Sequence, residues 1–237
     1  MSSVESQLPY WQMNVPPKQG TKECPSFLLN LSSKDKGILA TSDEDYKRTA
    51  WDEVKVIVER HDLASFRRIP SDLRRYLEFK YNIQKKYGSM QAYIQEKRLD
   101  WPSFEPSGDE AFKNPEDYKI LRNDWPYGID TDITHLVVWT KFPFEVDPAT
   151  DMVSQDTRRL IEEFVNATFC SAESGGVDKS NLIWFKNGPS LKSVDGVEHF
   201  HVMLYKARED FITTVTHGDC VMAEMVKDNC MPLGDII

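Results

Sequence analysis

The spacing of apolar residues changes along this chain of 237 residues, and that change limits its fold more than any other feature. Residues 41–100 place apolar side chains at helical intervals, as in Trp51, Val54 and Ile57. In the second half the apolar runs become short and β-rich, beginning with Ile133–Trp139. The pattern predicts an α+β fold with a helical N-terminal region and an antiparallel sheet with a helix in the C-terminal half.

Prolines and glycines divide the chain into four segments. We expect an irregular N-terminal arm at residues 1–40, a helical region at 41–100, a linker at 101–122 and an α+β domain at 123–237. Within the last segment an amphipathic helix is predicted over residues 157–169. The strands predicted there cover residues 133–139, 181–185 and 199–205, with a further candidate at 211–215.

The helical region carries signals for the ends of three helices. Thr41 or Ser42 is suited to cap the first helix, because three acidic residues follow in its first turn. The second helix is predicted to begin near Pro70 and to end at Gly88, and Ser89 then caps a short third one. The basic residues in this region, Arg67, Arg68, Arg74, Arg75, Lys80, Lys85 and Lys86, form a solvated face or supply one or two arginines to an anionic ligand.

Charge and composition argue against several classes of protein. The net charge is -9 and no long basic run is present, which disfavours binding of nucleic acids or anionic membranes through bulk charge. No apolar stretch approaches the roughly 18 residues of a membrane helix, and the N-terminus lacks a signal sequence. The four cysteines form no CxxC pair. We therefore expect a cytoplasmic or nuclear protein without a cofactor.

Two histidines give the strongest local signal for function. His199 and His201 are two residues apart in a predicted strand, so their side chains lie on the same face. Paired imidazoles act as nucleophile and proton shuttle, bind a metal, or are simply half-buried. The remaining histidines, His61, His135 and His217, do not complete a recognisable metal-ligand spacing. A metal-dependent enzyme is therefore the weakest of the interpretations, and no metal ligands are assigned.

The segment before the histidine strand has the composition of a phosphate-binding loop. It offers backbone amides at Asn187 and Gly188, together with the side chains of Lys192 and Ser193. An ordinary connection between two strands is the alternative interpretation. If the loop binds phosphate, the ligand lies next to the histidine pair.

A second candidate group lies in the run Asn123-Asp-Trp-Pro-Tyr-Gly. Trp125 or Tyr127 can stack on a base or sugar ring while Asp124 or Asn123 forms hydrogen bonds to it. The alternative is an aromatic turn whose backbone is set by proline and glycine. His135 begins the next strand, where it either orients another catalytic group or packs in the sheet.

Several of these motifs, in their order, resemble the histidine-triad (HIT) superfamily. The run His135–Lys141 is similar to that superfamily's His-x-Leu-Val-Ile-Pro-Lys strand, and Asn187-Gly188 with Ser193-Val194 is similar to the lead-in of its histidine strand. The resemblance implies a HIT-like fold, nucleotide hydrolase or nucleotidyltransferase activity and a histidine nucleophile. It also adds Lys141 to the candidate ligand-binding residues.

The HIT motif contains three histidines, whereas this chain has two. If they match the second and third positions, Val197 replaces the first and His199 is the nucleophile. If they match the first and second, Met203 replaces the third and His201 is the nucleophile. Catalysis therefore rests on which histidine is free to attack.

Four longer segments resemble the fungal N-acetylglucosamine-induced protein family. They are residues 81–90, 123–128, 135–141 and 198–203. The resemblance implies an intracellular protein connected with amino-sugar metabolism.

Together the two resemblances predict binding of a nucleotide or nucleotide sugar, with hydrolysis or transfer of the phosphate ester. The alternative is a non-catalytic ligand-sensing or protein-interaction module with a degraded triad. HIT-like proteins often dimerise, so a homodimer is a further expectation of this resemblance.

Overall fold

A computed structural model gives the architecture of the chain. In the part of the chain that it describes, four α-helices precede the first strand, one lies between the second and third strands, and one follows the last strand. A π-helical turn at Ile94–Leu99 directly follows the fourth helix. The described residues are 8–147, 150, 152–188, 192, 194 and 196–223. The helices are α1 (Ser33–Leu39), α2 (Trp51–Glu59), α3 (Pro70–Tyr87), α4 (Met90–Tyr93), α5 (Gln155–Phe169) and α6 (Glu209–Val215). The strands are β1 (Tyr118–Arg122), β2 (Ile133–Thr140), β3 (Leu182–Phe185) and β4 (Glu198–Tyr205).

The four strands form one antiparallel sheet in the order β1-β2-β4-β3. Helices precede this sheet in the chain, which confirms the predicted α+β fold with a helical N-terminal region. No helix among the described residues is both long and apolar enough to span a bilayer.

One side of the sheet, which we call the apolar face, carries only apolar side chains at its centre. Leu136 and Val138 of β2 lie beside Phe200, Val202 and Leu204 of β4, and all five are at most marginally exposed. Helices α5 and α6 cover them with an apolar layer of their own. The covering side chains are Ile161, Phe164, Val165, Phe169, Phe211 and Ile212.

The other side, which we call the histidine face, mixes apolar and polar groups. Register pairs Trp139 with His199 and Val137 with His201 across the two central strands, and His135 lies on the same side. The helical region covers this face. Its contacts come from Phe79, Ile83 and Tyr93 around α3 and α4, and from Trp51, Val54 and Phe66 around α2.

The predicted ends of α3 and α4 agree with the structure. Pro70 is the first residue of α3, and Gly88 follows its last residue with a φ of 74°, a left-handed conformation that suits glycine. Ser89 caps α4, since its Oγ accepts a hydrogen bond from the backbone N–H of Ala92 at 3.0 Å.

The prediction that the first helix of this region starts after Thr41 or Ser42 was wrong. Asp43 and Asp45 lie in a turn, and α2 begins only at Trp51, where the Glu53 carboxylate accepts from the N–H of Ala50. The N-terminal arm also contains α1, which Ser32 caps by accepting from the N–H of Asp35. The expectation of a wholly irregular arm therefore fails over α1.

Two other segments differ from the sequence prediction. The proposed linker at residues 101–122 ends in β1, which pairs with β2 along its full length. Neighbouring residues Ile120 and Leu121 are both buried because both sides of the sheet are covered, so β1 lacks the alternation typical of a half-exposed strand. The candidate strand at 211–215 is helix α6, since acidic residues occupy its first turn and Phe211 and Val215 are spaced four apart.

Candidate functional site

A cavity of about 230 Å³ lies between the histidine face and the helices that cover it. His199, His201 and Asn187 line it from the sheet. Its lining also includes Arg68 and Trp125, which come from the segments before α3 and before β2. The cavity thus joins residues that are more than a hundred positions apart in the sequence.

His199 presents one free ring nitrogen to this cavity. Its Nδ1 lies 2.9 Å from the carbonyl oxygen of Val197, and because a carbonyl only accepts, Nδ1 carries the proton. Its Nε2 forms no hydrogen bond with any described residue, and the ring packs against Trp139 with centroids 4.4 Å apart. The unshared electron pair of Nε2 is therefore available to a ligand.

His201 is different, because both of its ring nitrogens are engaged. Nδ1 lies 3.0 Å from Nε2 of His135, and Nε2 lies 3.0 Å from the amide nitrogen of Asn187. The sequence showed only two histidines in its motif, and the structure adds His135 from the neighbouring strand. His201 is held in place at both ends, which leaves His199 as the better placed nucleophile.

Burial keeps all three histidines neutral near pH 7. It lowers the pKa of His135 to about 3 and places the pKa of His201 well below the usual value, with the positive charge of Arg68 adding to both effects. Burial also lowers the pKa of His199. A neutral imidazole retains the electron pair that nucleophilic attack or proton abstraction requires.

Apart from Oδ1 of Asp124, which is ion-paired with Arg98, two polar atoms in the cavity wall have no hydrogen-bond partner among the described residues. They are the side-chain oxygen of Asn187 and the indole N–H of Trp125, on residues that are 6% and 4% exposed. Buried polar atoms are almost always hydrogen-bonded, so an unpaired acceptor and an unpaired donor in one cavity suit a polar ligand.

Arg68 supplies positive charge at the cavity. Its Nε donates to the carbonyl oxygen of Trp125 at 3.0 Å, and its guanidinium lies 4.0 Å from the ring centroid of Tyr76 and 5.5 Å from that of Tyr127. Among the described residues no acceptor pairs with its terminal nitrogens. Arg68 therefore fits the expectation that an arginine of the helical region faces the site.

Asp124 lies at the cavity wall but is already engaged. Its carboxylate contacts Arg98 at 2.9 and 3.0 Å, and Arg98 also pairs with Asp219 at 2.7 Å. Burial raises the pKa of Asp124 to about 6, although Arg98 opposes the shift. The predicted ligand contact from Asp124 is replaced by a buried ion-pair network that sequence reasoning missed, since Arg98 and Asp219 are 121 residues apart.

The aromatic motif that contains Trp125 is mainly structural. Tyr127 stacks on Phe66 with ring centroids 4.7 Å apart, although it also lines the cavity. An added Cβ at Gly128 would meet the hydroxyl end of Tyr46, so any other residue here would have to displace that ring. Trp125 retains a candidate ligand role through its unpaired N–H.

The other candidate ligand residues are not brought into the cavity lining. Lys141 pairs with the buried carboxylate of Asp117 at 3.3 Å, and Lys192 lies 3.3 Å from Glu198. Gly188 has open space around its Cα, and Ser193 is outside the described residues. Asn187 is thus the residue of the predicted phosphate loop that lines the cavity.

The positions of the potential metal-ligand side chains bear on the metal-dependent interpretation. Over the described part of the chain, no group of three or more histidine, cysteine, aspartate or glutamate side chains is arranged to hold a metal ion. His135 and His201 direct ring nitrogens at each other, so those two nitrogens are not free to coordinate.

Comparison with known proteins gives the family. Residues 50–205 match the family described as protein of unknown function (DUF3605). The chain belongs to this family. The matched region runs from the start of α2 to the end of β4 and so includes Arg68, Trp125 and all three clustered histidines.

Two curated relatives are fungal. N-acetylglucosamine-induced protein 1 of Candida albicans is 26% identical over 187 residues, which cover 71% of this chain and 72% of the relative. The uncharacterized protein YPL067C of Saccharomyces cerevisiae is 28% identical over 180 residues, covering 73% and 87%. The predicted resemblance to N-acetylglucosamine-induced proteins is confirmed.

A solved structure with a similar fold is described as the crystal structure of HTC1. It aligns with a TM-score of 0.57 and 26% identity, covering 76% of this chain and 96% of that one. The resemblance to the HIT superfamily stays a prediction.

Proposed function

We propose that this protein binds a small phosphorylated ligand, a nucleotide or a nucleotide sugar, in the cavity beside His199. The observation that carries the proposal concerns two groups that have no partner among the described residues: the unprotonated Nε2 of His199 and, in the same cavity, the terminal guanidinium nitrogens of Arg68. Arginine donates to phosphate oxygens in a fork-like geometry and remains charged at all physiological pH values.

The unpaired atoms of Asn187 and Trp125 support a ligand that carries neutral polar groups as well. The asparagine oxygen would accept from a hydroxyl or N–H of the ligand, and the indole N–H would donate to one of its oxygens. The name of the Candida albicans relative favours a ligand derived from an amino sugar.

We further propose that His199 is a nucleophile toward this ligand. Its Nε2 forms a bond to phosphorus, and the bond from phosphorus to the bridging oxygen breaks with its electron pair. In a nucleotide sugar the departing group is a phosphate, which is a stable anion and requires no proton. Water then attacks the phosphorus, breaks the N–P bond, releases a proton and restores the neutral imidazole.

A binding module without turnover is the second candidate function. The observation in its favour is that both ring nitrogens of His201 are engaged, so His201 is not available to protonate a leaving group that, unlike a phosphate, needs a proton. A sensing role for the same ligand requires only the cavity and Arg68.

Ligand binding is tested by thermal shift and calorimetry with nucleotides and nucleotide sugars. We expect the melting temperature to rise for at least one of them and the rise to be lost in Arg68→Met. His217→Asn is the matched control, since this exposed histidine has a φ of 54°, which asparagine tolerates. Absence of stabilisation by every compound would contradict the proposal.

Catalysis is tested by trapping with a ligand labelled on its phosphate. A covalent adduct that forms in the wild type and in His217→Asn, but not in His199→Asn, supports the nucleophile. Binding without adduct or turnover favours the module. An adduct that persists in His199→Asn and is lost in His201→Asn would transfer the nucleophilic role to His201.

A further inference from the structure

A second cluster of charge lies at the end of the sheet, outside the cavity. Lys186 directly follows β3, and Glu198 is the first residue of β4. The Nζ of Lys192 lies 3.3 and 3.4 Å from the two carboxylate oxygens of Glu198, and the Nζ of Lys186 lies 3.7 Å from one of them. Both lysine side chains are only 10% exposed.

The charges in this cluster do not balance. Two ammonium groups share one carboxylate, which leaves one surplus positive charge among the described residues. Buried charges are normally paired because their removal from water is costly. Burial lowers the pKa of Lys186, repulsion from Lys192 adds to the shift, and Glu198 partly offsets it.

The cluster is on the opposite side of the strand from the cavity. Successive side chains of a strand point to opposite faces, so Glu198 faces away from the side on which His199 lines the cavity. Asn187 lines the cavity, whereas the preceding residue, Lys186, lies toward the apolar face. Its ammonium is 6.0 Å from the ring centroid of Phe144, a residue packed on that face. A ligand at the cluster is therefore distinct from one in the cavity.

We propose that Lys186 and Lys192 form a separate binding site for a phosphate group at the end of the sheet. Two adjacent ammonium groups donate up to six hydrogen bonds, and among the described residues Glu198 is the carboxylate that shares them, so donors remain for the ligand. A phosphate carries between one and two negative charges near neutral pH, which neutralises the surplus charge. Glu198 holds the two ammonium groups near each other before the phosphate arrives.

Thermal unfolding in inorganic phosphate, compared with sodium chloride at equal ionic strength, tests this site. At a hundredfold excess over Kd we expect the melting temperature of the wild type to rise by about 5–10 °C. The rise is lost in Lys186→Met and in Lys192→Met, and Lys192→Arg retains it because the charge is kept. Lys179→Met, which changes an exposed lysine, serves as the matched control.

Two further variants separate this site from the cavity. Arg68→Met is expected to keep the phosphate response, even though it abolishes ligand binding in the cavity. Glu198→Gln removes the competing carboxylate, so tighter phosphate binding is expected there. A phosphate response that is lost in Arg68→Met and kept in both methionine variants of the lysines would overturn the proposal.

Comparison of inorganic phosphate with glycerol 3-phosphate identifies the natural source of the group. A larger response to glycerol 3-phosphate indicates a phosphate monoester, and a larger response to inorganic phosphate indicates the free ion. An equal melting temperature in phosphate and chloride for the wild type would overturn the proposal for either source.

Discussion

The two faces of the sheet are built from the same two central strands and yet differ in chemistry. The apolar face packs Phe200, Val202 and Leu204 against α5 and α6 without a polar atom to satisfy. The histidine face, one residue away along β4, holds His199 and His201 beside a cavity. Alternation along a single strand thus separates a surface devoted to stability from one that carries unpaired polar groups.

The difference shows which face of the sheet accommodates polar groups that a ligand can use. The apolar face has reached dense packing, in which every removed atom costs stability. The histidine face retains, within the described part of the chain, an unpaired indole N–H, an unpaired amide oxygen and a free imidazole nitrogen. Unpaired buried groups reduce the stability of a free protein, and such groups are common at binding sites.

Acidification gives a large effect, and its main targets, His135 and His201, lie on the histidine face. The folded-state pKa values of His135 and His201 are lowered, so these rings stay neutral when folded but protonate when unfolded below the usual value of 6.5. Stability is therefore fully present above pH 6.5 and falls as pH drops, by about 1.4 kcal/mol per pH unit for each such histidine. Urea unfolding at pH 7.5, 6.0 and 5.0 measures the loss.

Protonation of Asp124 opposes this loss of stability at acidic pH. Burial raises the pKa of Asp124 to about 6, so the folded protein binds this proton at a higher pH than the unfolded chain does. The folded state is therefore stabilised relative to the unfolded state as the pH falls from 6 to 4. Asp124 thus offsets the share of roughly one histidine. A free energy of unfolding that is constant from pH 7.5 to pH 5 would contradict neutral, buried histidines.

Truncation on the apolar face gives an effect of similar size. Phe200→Ala removes a fully buried ring from the contact of β4 with α5, and we expect a loss of about 3–5 kcal/mol in the free energy of unfolding. Leu160→Ala, at a position of α5 that is 43% exposed, should change it by less than about 0.5 kcal/mol. Equal losses in the two variants, measured by chemical denaturation, would refute the assignment of the apolar face.

A smaller effect, of opposite sign, is expected on the histidine face. Trp125→Phe keeps an aromatic ring but removes the unpaired indole N–H, so the free protein should be unchanged or more stable by about 1 kcal/mol. Affinity for the cavity ligand should fall at the same time. Trp184→Phe, on the side packed against Phe200, is the control and should leave ligand affinity unchanged. A large loss of stability in Trp125→Phe would indicate a purely structural tryptophan.

The sequence predicted those features that depend on local chemistry. The proline and glycine at the ends of α3 act on the backbone of their own segment, and the i, i+2 spacing of His199 and His201 places both on one face without further information. The strand β1 was missed because its burial on two sides removed the alternation on which the prediction relied.

The features that the sequence could not supply depend on distant contacts. Nothing local distinguishes Asp124, which pairs with Arg98, from a carboxylate that is free for a ligand. The same holds for Lys141, whose partner Asp117 belongs to the segment taken as a linker. The division of roles between His199 and His201 likewise follows from His135 and Asn187, which reach His201 from β2 and from the segment after β3.

The stacking of Trp139 on His199 has an optical consequence. Their ring centroids are 4.4 Å apart, and a positively charged imidazole in contact with an indole quenches its fluorescence. The emission of Trp139 should therefore follow the charge on His199, and it should change again when a ligand reaches Nε2. A variant that keeps Trp125 and Trp139 and has phenylalanine at its other tryptophans would retain the cavity's indole N–H and carry its own spectroscopic probe at the candidate nucleophile.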